Sequence, residues 1–344
     1  MTAREYPVFT VTPKAERSLR AGHPWVYGEE VTAVEGAYQN GDMVDVVSNK
    51  GRYLGTGWVN DHSKIRVRII SRNANDTFDE AFFRRRVCYA LNYRKTVMGP
   101  VDYRCCRLIF GEADQFPGLT VDRFENILVT QVLSLGMERR KDWVYRALVE
   151  LLREDGEQID AIYERNDVAI RTLEGLEQGK GFYQMEGLRT DLSGHVTITE
   201  NRIKYDVDYM EGQKTGFFLD QKYNRQAAAK LARGRRVLDC FTHTGAFALN
   251  AAAAGAEHVT AVDVSAFALE LAAENGKRNG LTNLDYKCAD VFDLLTEMAK
   301  EKKCDYDYII LDPPAFTKSR ATAKNAYHGY KEINRKAMRL LPRG

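Results

Sequence analysis

The chain has 344 residues, which is too long for one ordinary domain and sufficient for two or three domains that each bury a core. Hydrophobic residues make up 44% of the sequence and charged residues 28%, and neither a bilayer-spanning apolar stretch nor an N-terminal signal region is present. The net charge is only +2, and the six cysteines form no CxxC pair, which argues against a zinc site and a disulfide framework. We predict a cytoplasmic, multidomain globular protein with no metal and no membrane contact.

Residues 1–75 are predicted to form a small β-rich domain. Short runs of β-branched and aromatic residues lie there between Gly, Asn and Asp breaks. The predicted strands lie within GDMVDVVSN, YLGTGWVN and KIRVRIIS.

Residues 76–190 are predicted to form a mixed α/β domain. Apolar residues recur at helical spacing in DEAFFRRRVCYALNYRKTVM and in RRKDWVYRALVELL. Strand patterns occur in CRLIFGEAD, GLTVDRF, ILVTQVLS and DAIYERND.

Residues 191–344 contain a regular alternation of strands and helices that starts at Arg235. Predicted strands lie within RRVLDCF, HVTAVDV, LDYKCAD and YDYIILD, and the segments between them have helical patterns. Such an alternation indicates right-handed βαβ units and a parallel sheet with helices on both faces. The predicted fold class is therefore α/β, with a Rossmann-like third domain.

Each of the four strands in this domain ends in an acid. The four residues are Asp239, Asp263, Asp290 and Asp312. One acid after a strand is usually a turn former or a helix cap. Ligands of parallel sheets bind outside the carboxyl ends of the strands, so four acids in phase predict a binding site at that rim.

The sequence of the first strand-to-helix turn, DCFTHTGAF, indicates which class of cofactor binds. It contains Gly245 but lacks the three glycines that cradle a pyrophosphate, and the chain has no GxxxxGK[ST] loop. S-adenosylmethionine (SAM), a nucleoside without a phosphate bridge, fits better. We expect Asp263 to accept the ribose hydroxyls, Asp290 to reach the adenine edge, and Phe241, Thr242 and Gly245 to line the methionine side.

The fourth strand ends in DPPAF, which includes Asp312, Pro313, Pro314 and Phe316. A rigid turn of this kind can present a carboxylate and backbone carbonyls to a flat base, with the aromatic ring stacked on it. The alternative is that the prolines only stop the strand. The motif suits methylation of an exocyclic amine, whereas methylation of cytosine at C5 needs a cysteine thiolate that adds at C6.

The segment from Pro313 to Gly344 carries eight Lys or Arg residues and one acid, Glu332. Such a run is either a solvated face or a surface that holds a polyanion.

Several motifs together resemble a known family. VLDCFTHTGAF, AVDVS, ENGKRNGL, CADVFDLL and IILDPPAF follow the motif order of class I SAM-dependent methyltransferases. GQKTGFFLDQKYNR and GYKEINRKAMRLL resemble the PUA-domain 23S ribosomal RNA cytosine-5 methyltransferases, the RlmI-like proteins. AGHPWVYGEEV resembles the PUA module of that family, an RNA-binding β-barrel. The resemblance covers essentially the whole chain and implies RNA as the partner.

The resemblance also implies roles for individual residues. Lys214, Thr215 and Gly216 are expected to form a loop over the cofactor, and Asp312 to bind the cytosine edge around N3 and N4. Further residues expected at the cofactor are Thr244, Val264, Val291 and Asp312. Contacts to the RNA substrate or its phosphates are expected from Arg225, Lys318, Arg320, Lys324 and Lys331. Arg225 is expected to pair with a carboxylate at the site or, as the alternative, to form a surface ion pair. Arg66 and Arg68 share a strand face that meets either RNA or solvent.

The chain departs from the family pattern at its end. A class I methyltransferase sheet has seven strands, and here the sequence stops before strands 5 to 7 and before the serine-flanked cysteine that serves as the nucleophile in the family. We interpret the chain as C-terminally truncated. With the usual strand order 3-2-1-4, its fourth strand would be left at an edge, where it could drive formation of a homodimer. Cys240, Cys288 and Cys304 are interpreted as packing residues rather than nucleophiles.

The sequence thus favours a SAM-dependent RNA methyltransferase that forms 5-methylcytosine in 23S rRNA. Two alternatives stay open: an RNA methyltransferase that modifies an exocyclic amine, and a non-catalytic fragment that binds RNA and SAM.

Overall fold

The computed structural model describes residues 5–301, 304–317 and 322–342. The chain divides into two compact units. The first unit comprises residues 1–196 and 207–217, and the second comprises residues 197–206 and 218–344. Both the predicted β-rich domain and the predicted mixed α/β domain lie in the first unit.

The N-terminal module of the first unit contains one sheet and one helix. Its elements are β1 (Val8–Val11), α1 (Pro13–Arg20), β2 (Trp25–Tyr27), β3 (Val31–Glu35), β4 (Met43–Ser48), β5 (Tyr53–Val59) and β6 (Ile65–Ser71). The strand order is β2-β6-β5-β4-β1-β3, in which only β1 and β4 pair in parallel. The three strands predicted from sequence correspond to β4, β5 and β6.

Helix α1 was not predicted from the sequence. It begins at Pro13, and the side chain of Thr12 accepts a hydrogen bond from the backbone N–H of Ala15. Proline suits this first position because the N–H that it lacks would have no partner inside the helix. Ala15 and Leu19 then pack into the core of the module.

The central module follows the predicted mixed α/β pattern. Its elements are α2 (Glu80–Val97), α3 (Pro100–Tyr103), β7 (Cys105–Phe110), β8 (Leu119–Phe124), β9 (Ile127–Val132), α4 (Leu135–Glu138), α5 (Lys141–Glu154), β10 (Ala161–Asn166) and β11 (Gly179–Phe182). The strand order is β11-β10-β9-β8-β7, with β9 and β10 parallel and the other pairs antiparallel. Apolar side chains of α2 and α5 form one core with this sheet.

One shared core joins the N-terminal and central modules. Trp58 of β5 is 1% exposed and belongs to the same apolar cluster as the α2 residues Phe82 and Phe83. Its indole lies against Gly136 of α4, where an added Cβ would be 1.9 Å from Trp58 Cγ. The two modules are therefore packed together through a contact that only glycine permits.

The structure corrects the expectation for Arg68, whose side chain is paired with acids and mostly covered rather than left on an open strand face. Its guanidinium donates to Glu174 at 2.7 Å and to Glu112 at 3.3 Å, and both acids belong to the central module. It also lies over the ring of Trp25, 5.7 Å from the centroid. Arg66 is more accessible, but its guanidinium is paired with Asp61.

The second unit contains the predicted Rossmann-like sheet. Its elements, together with a hairpin shared by the two units, are β12 (His195–Glu200), β13 (Ile203–Asp208), α6 (Lys222–Ala229), β14 (Arg236–Cys240), α7 (Ala246–Ala253), β15 (His258–Asp263), α8 (Ala266–Arg278), β16 (Leu284–Cys288), α9 (Val291–Glu301), β17 (Tyr308–Leu311) and α10 (Ala323–Leu340). The parallel strands have the order β16-β15-β14-β17, which is the expected 3-2-1-4 order. In the part of the chain that the structure describes, β17 pairs with β14 alone.

Asparagine side chains hold the tip of the β12–β13 hairpin in the second unit. Asn201 donates to the carbonyl of Lys222 and to the side chain of Asn250, at 3.1 and 3.0 Å. Asn279 exchanges two hydrogen bonds with the backbone of Lys204, in the manner of a strand partner.

Among the described residues, no helix is both long and apolar enough to cross a membrane.

Substitution of Gly136 by Ala tests the packing of the two modules. The added methyl group collides with a buried indole, so we expect the free energy of unfolding to fall by about 2 kcal/mol. Denaturant titration followed by tryptophan fluorescence measures the change. The control is Gly99→Ala, since a Cβ at Gly99 meets no atom within 4 Å. Equal stability of the two variants would contradict the contact.

Candidate functional site

The parallel register brings the four predicted acids to one rim of the sheet. Cys240 of β14 pairs with Val262 of β15 and with Leu311 of β17, and Asp263 pairs with Cys288 of β16. Asp239 is therefore the penultimate residue of β14, and Asp263 is the last residue of β15. Asp290 and Asp312 lie just after β16 and β17. The prediction that they share the carboxyl rim is confirmed.

The turn after β14 has an unusual backbone. Phe241, His243 and Gly245 all have positive φ, at 64°, 52° and 82°. For the two residues other than glycine, this left-handed conformation costs energy, and such strain is often found at binding sites. Gly245 is also required for space, since a Cβ there would be 2.8 Å from the Cβ of Ala272.

This turn is held by the neighbouring strand. The backbone N–H of Thr242 donates to the carbonyl of Val262 at 3.0 Å, and that of His243 donates to Asp263 Oδ2 at 2.9 Å. Ser265 donates its backbone N–H to Asp263 Oδ1 at 3.0 Å. The carboxylate of Asp263 is therefore fixed in orientation by one backbone donor on each oxygen, and each oxygen keeps acceptor capacity for a ligand.

Asp239 is the most buried of the four acids, at 1% exposure. Its Oδ2 accepts a 2.5 Å hydrogen bond from the hydroxyl of Thr242, and its Oδ1 has no hydrogen-bond partner among the described residues. Burial raises the pKa of Asp239 to about 7; hydrogen bonding, chiefly from Thr242, opposes the rise, and the charges of Asp312 and Asp263 add to it. Sequence reasoning counted this acid at the rim but gave it no role.

Asp290 behaves in this structure as a helix cap. Its Oδ1 accepts the backbone N–H groups of Phe292 and Asp293 at 2.7 and 3.1 Å, which satisfies two donors at the start of α9. The neighbouring Val291 is 1% exposed and packs in the core. Val264, in contrast, is 63% exposed beside Asp263.

Sequence reasoning missed a second apolar side chain at this rim. Phe267, in the first turn of α8, is 67% exposed. The sequence shows Phe267 only as an apolar residue near the start of an amphipathic helix, which does not reveal that its side chain is exposed. Together with Val264 it gives the rim an apolar surface next to the Asp263 carboxylate.

The DPPAF turn follows β17. Loss of solvent raises the pKa of Asp312, the charge of Asp220 raises it further, and the charge of Arg225 opposes the rise. The Phe316 ring belongs to an aromatic group, with its centroid 4.3 Å from that of Tyr330 and 5.6 Å from that of Phe292.

Arg225 is buried rather than placed in a surface ion pair. Its Nε and Nη2 atoms donate to the two carboxylate oxygens of Glu200 at 2.6 and 2.9 Å, and the side chains are 2% and 0% exposed. Nη2 also donates to the carbonyl of Phe218. A direct contact of Arg225 with the substrate stays a prediction, while its positive charge already acts on Asp312.

Lys214, Thr215 and Gly216 lie in the first unit. Thr215 is 1% exposed, and its hydroxyl donates to Asp122 Oδ2 at 2.6 Å. Gly216 has a φ of 120°, and a Cβ there would meet the carbonyl of Asp208 at 2.8 Å. The contact of these residues with a cofactor stays a prediction.

The predicted phosphate contacts lie on or before helix α10. Lys324 and Lys331 are exposed on that helix. Lys318 and Arg320 lie outside the described residues.

The cysteines of the second unit differ in environment. Cys240 is fully buried, and burial raises the pKa of its thiol far above the ordinary range. Cys304 is half-buried, with its thiol 3.6 Å from the carbonyl of Tyr306. Cys288 is exposed on the edge strand β16, so the interpretation of this residue as a packing residue is wrong.

Two family models match the chain. A PUA-like domain matches residues 9–72, and an S-adenosylmethionine-dependent methyltransferase domain matches residues 183–344. The ribosomal RNA large subunit methyltransferase I of Photobacterium profundum is 42% identical over 332 residues, which cover 96% of this chain and 81% of that protein.

Solved structures share the fold. A candidate SAM-dependent methyltransferase from Streptococcus mutans has a TM-score of 0.77 at 23% identity, and the match covers 97% of this chain and 83% of that one. A second structure, of a candidate methyltransferase complexed with SAH, has a TM-score of 0.79 at 23% identity over 98% and 83% of the two chains.

If Asp263 accepts the ribose hydroxyls as the sequence predicts, its replacement by Ala should weaken SAM binding by about tenfold or more. Isothermal titration calorimetry with SAM measures the affinity. Asp285→Ala is the control, because Asp285 is an exposed acid on the edge strand β16. An affinity equal to that of the control would mean that Asp263 does not contact the cofactor.

The raised pKa of Asp239 predicts a pH-dependent stability. Because its pKa is raised on folding, the Asp239 carboxyl binds a proton more tightly in the folded than in the unfolded protein. Protonation therefore stabilises the fold fully below the ordinary pKa of 3.8, and this stabilisation is lost as the pH rises towards about 7. Relative to Asp239→Asn, the free energy of unfolding of the wild-type protein should fall by about 1.4 kcal/mol per pH unit in this window. Urea titrations between pH 4 and 8 test this, and parallel curves for the two proteins would refute it.

Proposed function

The chain belongs to the ribosomal RNA large subunit methyltransferase I family, and from this premise we propose that it forms 5-methylcytosine in 23S rRNA. The protein is a SAM-dependent methyltransferase of large-subunit ribosomal RNA with an N-terminal PUA-like domain. The observation that carries the proposal is the group of acids at the carboxyl ends of β14, β15 and β17, which includes Asp312 of the DPPAF turn. These acids lie beside the turn after β14, whose backbone has positive φ angles.

The residues at the rim fit the cofactor. SAM carries ribose hydroxyls, an adenine, and the positive charges of an ammonium and a sulfonium. Asp263 offers two oriented acceptor oxygens for the ribose, and the buried Asp239 beneath the turn adds negative charge that suits a cationic group when it is ionised. We assign the adenine to the surface beside Val264, whose exposure supports this placement. Asp290 and Thr244 complete the proposed set. When bound, the cofactor supplies the electrophilic methyl group.

The target base is assigned to the DPPAF turn. A cytosine edge has an exocyclic amine that donates hydrogen bonds and a ring nitrogen that accepts one in its neutral form. A carboxyl whose pKa is raised, as for Asp312, can serve either need, because its protonated form donates and its ionised form accepts. Pro313 and Pro314 have fixed φ angles and restrict the residue before each, which limits the directions of the Asp312 and Pro313 carbonyls.

Methylation at C5 also needs a thiolate. The thiol of Cys240 is buried and its pKa is raised, which keeps it in the unreactive protonated form. Cys288 lies on the far edge of the sheet, two strands from β14, which adjoins the DPPAF strand. We therefore retain the proposal that a serine-flanked cysteine beyond Gly344 is the nucleophile.

The basic surface of α10 is the proposed contact for RNA phosphates. Lys324 and Lys331 are exposed there, and Glu332, its one acid, is paired with Lys336. Self-association through the edge of β17 and a cytoplasmic location stay proposals.

A second function is favoured by a specific observation, the DPPAF turn itself. In this alternative, the exocyclic amine of the base is the nucleophile, and the hydrogen bonds to Asp312 and to backbone carbonyls orient its lone pair towards the methyl group. Catalysis then requires no thiol.

Tritium release distinguishes the two products. Methylation at C5 replaces the hydrogen on that carbon, so 23S rRNA carrying [5-³H]cytidine should release tritium into water, whereas methylation of an amine retains it. A protein that extends through the proposed nucleophile should release tritium, and the chain that ends at Gly344 should bind SAM without release. Transfer of a labelled methyl group from SAM to the RNA without tritium release would refute the C5 product.

A further inference from the structure

The segment GYKEINRKAMRLL contributes to the family resemblance, yet its first two residues have no assigned role. Gly329 and Tyr330 lie in the first half of α10 (Ala323–Leu340). The buried residues Ile333 and Ala337 anchor this helix in the core beside β17 and α9. The packing places Tyr330 against the DPPAF turn.

Tyr330 contacts this turn in two ways. Its ring stacks on that of Phe316 at a centroid distance of 4.3 Å and an interplanar angle of 31°. Its hydroxyl donates to the carbonyl of Pro314 at 3.3 Å and accepts the backbone N–H of Phe316 at 3.2 Å. These hydrogen bonds are long, and the ring contact supplements them.

Among the described residues, few other hydrogen bonds hold the turn. Pro313 and Pro314 have no backbone N–H, and the N–H of Asp312 lies 3.5 Å from the carbonyl of Cys240. A hydroxyl can donate to one backbone atom and accept from another two residues later. Tyrosine supplies this hydroxyl on a rigid ring, so the conformation of the turn depends on it.

Gly329 allows the helix to approach the turn. An ideal Cβ at this position would lie 3.1 Å from Cδ2 of Phe316, closer than an ordinary van der Waals contact. The two neighbouring residues therefore have complementary roles, since Gly329 gives the Phe316 ring its space and Tyr330 holds it there.

We propose that Tyr330 is a positioning residue that fixes the DPPAF turn, and through it Asp312 and Phe316, for the target base. The inference rests on the proposed role of this turn in base binding. Tyr330 acts on the backbone and on the ring of Phe316, so it changes the placement of the base and leaves the cofactor contacts at Asp263 unchanged.

Tyr330→Phe is the sharpest variant, because it keeps the ring stack and removes only the hydroxyl. Tyr327→Phe is the matched control, since Tyr327 is 65% exposed on the same helix. We expect amide hydrogen exchange at Phe316 to become roughly tenfold faster in Tyr330→Phe and to be unchanged in the control. This measurement needs no catalytic activity.

Kinetics of methyl transfer to 23S rRNA provide the second readout, in a protein that extends through the proposed nucleophile. We expect kcat/KM for RNA to fall about tenfold in Tyr330→Phe and further in Tyr330→Ala, with the Kd for SAM and the melting temperature of Tyr330→Phe near those of the wild type. Gly329→Ala should weaken methyl transfer in the same direction without removing a polar group.

The outcomes separate this inference from the proposed function. Faster exchange at Phe316 with impaired methyl transfer supports the positioning role, and wild-type exchange in Tyr330→Phe overturns it. If the wild-type protein transfers no methyl group to 23S rRNA, the proposed function fails, and the exchange data still decide whether Tyr330 holds the turn. Faster exchange with unaltered kcat/KM overturns the role in base placement.

Discussion

The parallel register of three strands is the constraint on which the site depends. Because β14, β15 and β17 end in phase, the carboxyl groups of Asp239, Asp263 and Asp312 gather at one edge of the sheet. Burial raises the pKa of Asp239 and, to a lesser extent, that of the more exposed Asp312, and the charges of Asp312 and Asp263 add to the rise at Asp239. The rim therefore combines a buried carboxyl group with more accessible ones.

Asp263 and Asp312 of the second unit have different compensating partners. At Asp263 the backbone supplies two N–H donors, so the ionised carboxylate is stabilised within the turn that it orders. Near Asp312 the compensating charge comes from Arg225, which is itself held by Glu200 of the hairpin. A buried bidentate pair of this kind adds little net stability but fixes one geometry, and here it fixes a positive charge near the DPPAF turn.

The periodic parts of the fold could be predicted from the sequence, because strands and helices of β14 to β17 carry their own apolar patterns. The short helix α1 could not, since its eight residues depend on the Thr12 cap and on tertiary contacts of Leu19. Arg68 was misjudged for a related reason. Alternation shows which residues share a strand face, but only the fold shows that Glu112 and Glu174 of another module cover that face.

The same limit explains which site residues the sequence revealed. Asp312 and Phe316 stand in a short recognisable motif, whereas Tyr330 becomes meaningful only when α10 is folded back against that motif. The Tyr330 ring covers one side of the Phe316 ring, and the Phe292 ring lies 5.6 Å from Phe316 between centroids. The turn lacks two backbone N–H groups, and Tyr330 of the helix that follows it bonds to the Pro314 carbonyl and the Phe316 N–H. The conformation of the DPPAF turn is therefore restricted both by its two prolines and by the contacts of Tyr330 on α10.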